Sequence, residues 1–191
     1  MTKLSIELSE NNVGCYVKTD LKNINDVEIQ EIKKLLNKYA VLFFKEQNLS
    51  PEEYMSFASQ FGQPAKYPML KPHKDFQDIY VIERKKIDKG LSFGEGAHLD
   101  SVYMNNPPRF TFLQAIDVPE EGKGNILFYN QFLAYEALPK KIKSKIENLK
   151  GIFSSKGKIA KSRTLREAEH GTSNTKEIKS EHKLVQTIDG R

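Results

Sequence analysis

Apolar side chains recur at helical spacing in two stretches of the first third of the chain. Asn25 precedes the first stretch and Ser50 the second, and Glu28 and Glu53 follow three positions later, which is the spacing of a capping box. Gly62 stands where a glycine often ends a helix. The sequence therefore predicts two amphipathic helices, whose inward-facing residues are Ile29, Ile32, Leu35 and Leu36 in the first and Tyr54, Phe57, Ala58 and Phe61 in the second.

Short apolar runs elsewhere in the chain are typical of β-strands, because they are too short for helices that bury one face. Strands are predicted at 40–44, 79–82, 109–115, 126–129 and 184–188. Two more helices are predicted, one capped by Asn130 and one that begins at Pro139. This order of elements predicts an α+β fold, and the length of 191 residues suits a single domain over 1–191.

A long polar stretch precedes the last predicted strand. Residues 154–183 are rich in Lys and lack clear periodicity, so they are interpreted as a basic excursion from the domain. The strand at 184–188 runs into Asp189-Gly190, a pair typical of a two-residue hairpin turn, and Arg191 follows directly. We therefore expect the sequence to be a domain that lacks its C-terminal part.

Composition restricts the classes of function. Residues 140–191 hold 14 Lys and Arg against 6 Asp and Glu, so the net charge of +5 belongs to one segment. That segment has no interleaved aromatic residues, and no nucleic-acid partner is predicted. No apolar run approaches the ~20 residues that cross a membrane, and no signal peptide is evident. With Cys15 as the single cysteine, a reducing cytoplasm is the expected location.

The candidate chemistry lies in the step His98-Leu99-Asp100. On a β-strand, residues two apart lie on the same face, so this step is expected to offer an imidazole and a carboxylate to one metal ion. One nitrogen and one oxygen donor are two thirds of the facial triad that holds non-haem Fe(II). The sequence has no evident third ligand, and Asp100 can also serve as a simple turn cap.

Five segments follow the order of motifs in one known family. The most specific, at 94–108, fits the pattern G-x-x-W-H-x-D-x-x-y-x-x-x-P-P, with Ala97 in place of the tryptophan. Weaker patterns match 39–47, 49–62, 124–138 and 182–191 in the same order. The chain thereby resembles the taurine dioxygenase-like (TauD/TfdA) family of Fe(II)- and 2-oxoglutarate-dependent dioxygenases.

The resemblance implies a fold and a set of ligands. The fold would be an incomplete double-stranded β-helix, or jelly roll, with flanking helices. His98 and Asp100 would bind Fe(II), and 2-oxoglutarate would be the co-substrate. The family's second iron-binding His and its 2-oxoglutarate-binding Arg would lie beyond Arg191. Ile126 falls where many members have a threonine that contacts 2-oxoglutarate, a hydrogen bond that isoleucine cannot make.

The resemblance also places a substrate pocket. Tyr67 falls where taurine-specific members have a sulfonate-binding histidine, Ser101 falls where they have valine, and Gly94 opens the core motif. Taurine itself is therefore not the expected substrate. The remaining histidines, His73, His170 and His182, are interpreted as exposed or structural residues.

The predicted function is oxidation of a small, acidic organic molecule by O2 with Fe(II) and 2-oxoglutarate, either by this chain or by a protein of which it is the N-terminal portion. The alternative is an inactive remnant that acts as a binding module and contacts anionic partners through its basic loop. The expected partners are a small-molecule substrate and O2, without nucleic acid or membrane.

Overall fold

The computed structural model describes residues 4–10, 13–67, 70–89, 94, 96–120, 122–156, 176–188 and 190. The chain divides into two compact units. The first comprises Met1–Gly62, Phe112–Ile146 and Gln186–Arg191, and the second comprises Gln63–Thr111 and Glu147–Val185. None of the helices in the described ranges is long and apolar enough to span a membrane.

The first unit contains one small sheet and the helices of the structure. Its strands are β1 (Ser5–Leu8), β2 (Cys15–Lys18) and β3 (Leu42–Phe43). Its helices are α1 (Asp26–Tyr39), α2 (Pro51–Ser59), α3 (Gln131–Glu136) and α4 (Lys140–Ile146), with a short 3-10 helix at Leu21–Asn23. Strand β2 lies between antiparallel β1 and parallel β3.

The two predicted capping boxes are confirmed. The Asn25 side chain accepts from the backbone N–H of Glu28, whose carboxylate accepts from the N–H of Asn25. Ser50 and Glu53 make the same reciprocal pair at α2. Each cap satisfies N–H groups that have no partner within the helix, a contribution of about 1 kcal/mol. Local sequence signals therefore determine where both helices begin.

The C-terminal end of α2 differs from the prediction. The helix ends at Ser59, three residues before Gly62. The N–H groups of Gln60, Phe61 and Gly62 each donate to the carbonyl three residues earlier, so the chain tightens into a 3-10-type turn before the glycine. Gly62 thus ends that turn rather than the α-helix.

The core of the first unit joins the sheet to the two capped helices. Its buried members are Leu4, Cys15, Val17, Leu21, Ile29, Ile32, Leu49 and Phe57. Burial raises the pKa of the Cys15 thiol, so this residue behaves as a small apolar side chain. Gly14 directly precedes β2 and lies against Val41, which directly precedes β3. A Cβ on Gly14 would be 2.8 Å from the carbonyl oxygen of Val41, so only a glycine fits there.

Several predicted strands are shorter or absent. The strand at 40–44 is reduced to β3, and 79–82 contributes only a single bridge between Tyr80 and Pro72. Residues 109–115 and 126–129, all of them described, form no strand. Apolar composition indicates burial, whereas a strand also needs a neighbour for its backbone hydrogen bonds. Leu113 and Leu127 are exposed accordingly.

The second unit contains an antiparallel pair, β4 (Lys150–Ser154) and β5 (Lys179–Lys183). The prediction of a strand at 184–188 was wrong by several residues, because β5 lies within the stretch interpreted as an excursion. Polar residues occupy β5, so a search for apolar runs does not find it. Most of the predicted basic excursion, residues 157–175, lies outside the described residues. So does Asp189 of the predicted hairpin turn.

Candidate metal centre

The His98-Leu99-Asp100 step lies in a turn, and the prediction of a strand there was wrong. His98 and Leu99 are not in regular structure, and a turn begins at Asp100. Ser101 has φ +50°, which bends the chain immediately after Asp100, and the N–H of Met104 donates to the Ser101 carbonyl at 2.9 Å. The two side chains therefore meet through a bend rather than through the pleat of a sheet.

The orientation of the His98 ring determines which nitrogen faces Asp100. Its Nδ1 lies 2.9 Å from the carbonyl oxygen of Gly96. A carbonyl oxygen only accepts hydrogen bonds, so Nδ1 carries the proton and, in the neutral ring, Nε2 carries a lone pair. That Nε2 lies 3.2 Å from Asp100 Oδ1.

The carboxylate of Asp100 is held from its other side. The hydroxyl of Thr111 donates to Asp100 Oδ2 at 2.8 Å, which leaves Oδ1 directed at His98. Sequence reasoning missed Thr111. The available signal was a hydroxyl between Phe110 and Phe112, in a run that otherwise reads as apolar.

The pair fits a divalent cation. Two lone pairs that face each other at 3.2 Å repel unless a proton or a cation lies between them. Donor atoms at adjacent corners of an octahedron, each about 2.1 Å from the ion, lie ~3.0 Å apart. Gly96 and Thr111 supply the outer hydrogen bonds that usually orient such ligands. Both side chains are about half exposed, at 45% for His98 and 49% for Asp100, so an ion can reach them.

Gly94 lies beside this pair. A Cβ at Gly94 would be 3.4 Å from Cε1 and 4.0 Å from Nε2 of His98, and the residue has φ +72°. The positive φ favours a glycine at this position. A Cβ here would make only ordinary van der Waals contact with the His98 ring, so Gly94 lies beside His98, and its place in a substrate pocket stays a prediction.

The other predicted positions have different surroundings. Ser101 follows Asp100 in the chain and is buried. The N–H of Tyr67 donates to the hydroxyl of Tyr80 at 2.8 Å, and the two rings are 6.0 Å apart. Ile126 belongs to the first unit and is 61% exposed. The structure therefore brings together His98, Asp100, Gly94 and Thr111.

A complete ligand set is not present within the described ranges, where no group of three or more His, Cys, Asp or Glu side chains is placed to hold a metal. His73 accepts from the N–H of Asp75 through Nδ1 and lies against Phe76. His182 is on β5, and its Nε2 contacts the backbone carbonyl of Met104 and the hydroxyl of Ser180. His170 lies outside the described residues.

The chain has relatives among known proteins. It is 27% identical over 143 residues to a putative alpha-ketoglutarate-dependent sulfonate dioxygenase of Schizosaccharomyces pombe, which covers 71% of this chain and 36% of that protein. It is also 27% identical over 156 residues to an alkylsulfatase of Acinetobacter baylyi, with 81% and 47% covered. The chain thus spans about half or less of the length of these relatives.

Solved structures share the fold. The crystal structure of AAD-2 in complex with Mn(II) and N-oxalylglycine matches with a TM-score of 0.69 and 24% identity, over 97% of this chain and 65% of that one. The family model described as taurine catabolism dioxygenase TauD, TfdA family matches residues 13–191, nearly the whole sequence and including the His98–Asp100 pair. The chain therefore belongs to the TauD/TfdA family of dioxygenases.

Proposed function

We propose that the chain supplies two of the protein ligands of an Fe(II) site in a 2-oxoglutarate-dependent dioxygenase. The observation that carries the proposal is the 3.2 Å approach of His98 Nε2 to Asp100 Oδ1, with each group held from behind. Family membership supports the choice of metal and co-substrate. The Mn(II) and N-oxalylglycine bound in AAD-2 support it further, since N-oxalylglycine is an analogue of 2-oxoglutarate.

The pair offers the donor types that a divalent cation takes. With Nδ1 of His98 against the Gly96 carbonyl, Nε2 is the ring nitrogen that faces Asp100, and Asp100 supplies a carboxylate oxygen. Thr111 and the Gly96 carbonyl fix both donors before an ion arrives. Fe(II) with 2-oxoglutarate supplies O2-dependent oxidation of a C–H bond when bound.

The proposal extends to the fold and its context. Small sheets with flanking helices, together with the match to larger structures of the family, support the jelly roll. We further propose that residues 1–191 form one oxygenase domain whose remaining ligands lie outside the described residues. Cytoplasmic location and the absence of nucleic-acid and membrane partners stay predictions. The alternative of a binding module rests on 154–183, of which 157–175 is not described.

We propose a small organic anion as the substrate class. The family name refers to taurine, and the two curated relatives are named for a sulfonate and an alkyl sulfate. All three names denote small molecules with an anionic sulfur-oxygen group. Tyr67 and Ser101 stay predicted pocket residues for such a substrate.

Anaerobic equilibrium dialysis with Fe(II), in the presence of 2-oxoglutarate, tests the proposal. We expect His98→Ala to weaken Fe(II) binding at least tenfold, because one of two donors is lost. His73→Ala is the matched control, since it removes a half-buried imidazole from the same unit, and it should bind as the wild type does. Equal affinity in wild type and His98→Ala overturns the proposal.

A further inference from the structure

We infer that Ser180 and His182 on β5 are positioning residues for the metal-binding turn. They bind the backbone carbonyls of Val102 and Met104, which lie two and four residues after Asp100. The inference rests on the proposed function of the His98–Asp100 pair. It assigns a role to two polar side chains that lie about eighty positions away in the sequence and outside the ligand pair.

The hydrogen bonds form a small connected network. The Ser180 hydroxyl donates to the Val102 carbonyl at 2.7 Å, and His182 Nε2 lies 2.9 Å from both the Met104 carbonyl and Ser180 Oγ. Because the carbonyl only accepts, Nε2 carries the proton of His182. It therefore has no lone pair with which to activate Ser180, and the two residues are not a nucleophile and base.

The alternation of β5 directs these two side chains to the turn. Ser180 is buried and His182 half-buried on one face, whereas Lys179, Glu181 and Lys183 are exposed on the other. The His182 ring also packs against Phe153 of β4, with centroids 5.9 Å apart. The imidazole is thus fixed by packing before it contacts the turn.

The turn needs such support. Ser101 has φ +50°, a left-handed conformation that L residues with a side chain rarely adopt and that persists when the surrounding structure determines it. The carbonyls held by β5 belong to the residues one and three positions after Ser101. Without these bonds, the turn is free to relax, and Asp100 Oδ1 then loses its fixed position relative to His98.

A purely structural role predicts a different outcome. If Ser180 and His182 only stabilise the β4–β5 pair, their loss would loosen both strands as much as the turn. If they position the turn, the Met104 amide, which donates to the Ser101 carbonyl, would lose protection selectively. Residue-resolved amide hydrogen exchange of the metal-free chain separates the two possibilities.

The test compares five variants with the wild type. Ser180→Ala and His182→Phe remove the hydrogen-bond donors, whereas Ser180→Thr and His182→Gln keep a donor at the same positions. Glu181→Gln is the control, because Glu181 lies on the opposite face of β5 and pairs with Lys150 at 2.8 Å. We expect about tenfold faster exchange at Met104 in the two donor-less variants, the equivalent of one lost hydrogen bond. The restoring variants should return toward wild type, and Glu181→Gln should match it.

A second readout connects the network to the metal. Zn(II) affinity should fall about tenfold in Ser180→Ala and His182→Phe, as happens when outer-shell partners are removed, and remain unchanged in Glu181→Gln. Unchanged exchange at Met104, or an equal increase in the amides of β4 and β5, overturns the inference. If wild-type Zn(II) binding does not depend on His98, the proposed function fails instead, and the exchange result still decides whether the turn is held.

Discussion

The two units of the chain are held in different ways. Among the described residues, eight of the ten buried apolar side chains belong to the first unit, and all three buried polar ones, Ser101, Ser155 and Ser180, belong to the second. Apolar burial is non-directional and tolerates small shifts. Hydrogen bonds to backbone carbonyls have narrow distances and angles. The unit that carries His98 and Asp100 is therefore the one whose buried side chains include hydrogen-bonding groups.

This difference suits the two tasks. A scaffold needs free energy, which buried area supplies in proportion to its extent. A metal site needs atoms fixed to a fraction of an ångström, and polar contacts from behind each ligand supply that precision. The comparison predicts that substitutions in the first unit change mainly stability, whereas substitutions around the turn change mainly metal affinity.

The largest expected effect is on the core of the first unit. Ile32 is 1% exposed, so Ile32→Ala should lower the free energy of unfolding by about 2–5 kcal/mol through lost burial and a cavity. Val27→Ala on the same helix is the control, because Val27 is 59% exposed. Urea unfolding followed by circular dichroism measures both. A loss below about 1 kcal/mol for Ile32→Ala would contradict a core that holds this unit by burial.

The next effect concerns the hydrogen bond behind Asp100. Thr111→Val keeps the side-chain shape and removes the donor to Oδ2, so metal affinity should fall about tenfold with little change in unfolding. Thr111→Ser should restore most of the affinity. Zn(II) titration by calorimetry measures the series, and an affinity equal to wild type in Thr111→Val would show that this bond does not orient the carboxylate.

A smaller effect separates backbone strain from steric contact. Gly94 and Gly96 both have positive φ, but a Cβ would meet the His98 ring only at Gly94. Alanine at either position costs about 1 kcal/mol of backbone strain. Since a Cβ at Gly94 would meet the ring at ordinary van der Waals distance, both variants should lose stability to a similar extent in urea unfolding. A much larger loss for Gly94→Ala than for Gly96→Ala would show that the space beside the His98 ring is restricted.

The smallest effect is the pH dependence of the α2 cap. Two hydrogen bonds lower the pKa of Glu53 from its ordinary 4.5. The larger effect comes from the Ser50 N–H and the smaller one from the Lys22 side chain. Its stabilisation is therefore fully present above pH 4.5 and is lost as the pH falls through the lower folded pKa. The melting temperature of Glu53→Gln should lie below that of wild type at pH 7, and the difference should shrink as the pH is lowered below 4.5. A difference that does not change with pH would assign the effect to another cause.

Contacts between residues close together in the sequence were predictable, and contacts between distant residues were not. The caps at Asn25 and Ser50 were predictable because each contact spans three residues. His98 and Asp100 could be proposed as a pair because they are two residues apart, although the predicted strand was wrong and the pair lies in a turn. Thr111 lies eleven residues from its partner and was not found.

The contacts that hold the turn were beyond sequence reasoning. Ser180 and His182 each bind a carbonyl 78 residues away, and neither side chain contributes to an apolar pattern. The strand that carries them was interpreted as part of a polar excursion for the same reason. Hydrophobic periodicity records which face is buried, but it does not record which hydroxyl or imidazole meets which carbonyl.

The most direct test is the long-range ¹H–¹⁵N NMR spectrum of the imidazole rings, without and with Zn(II). In the metal-free chain, His98 should carry its proton on Nδ1, and His73 and His182 on Nε2, since their contacts require opposite tautomers. Zn(II) should then shift Nε2 of His98 and leave the other two rings unchanged. A proton on Nε2 of His98, or a His98 ring that does not respond to Zn(II), would contradict a cation site formed by His98 and Asp100.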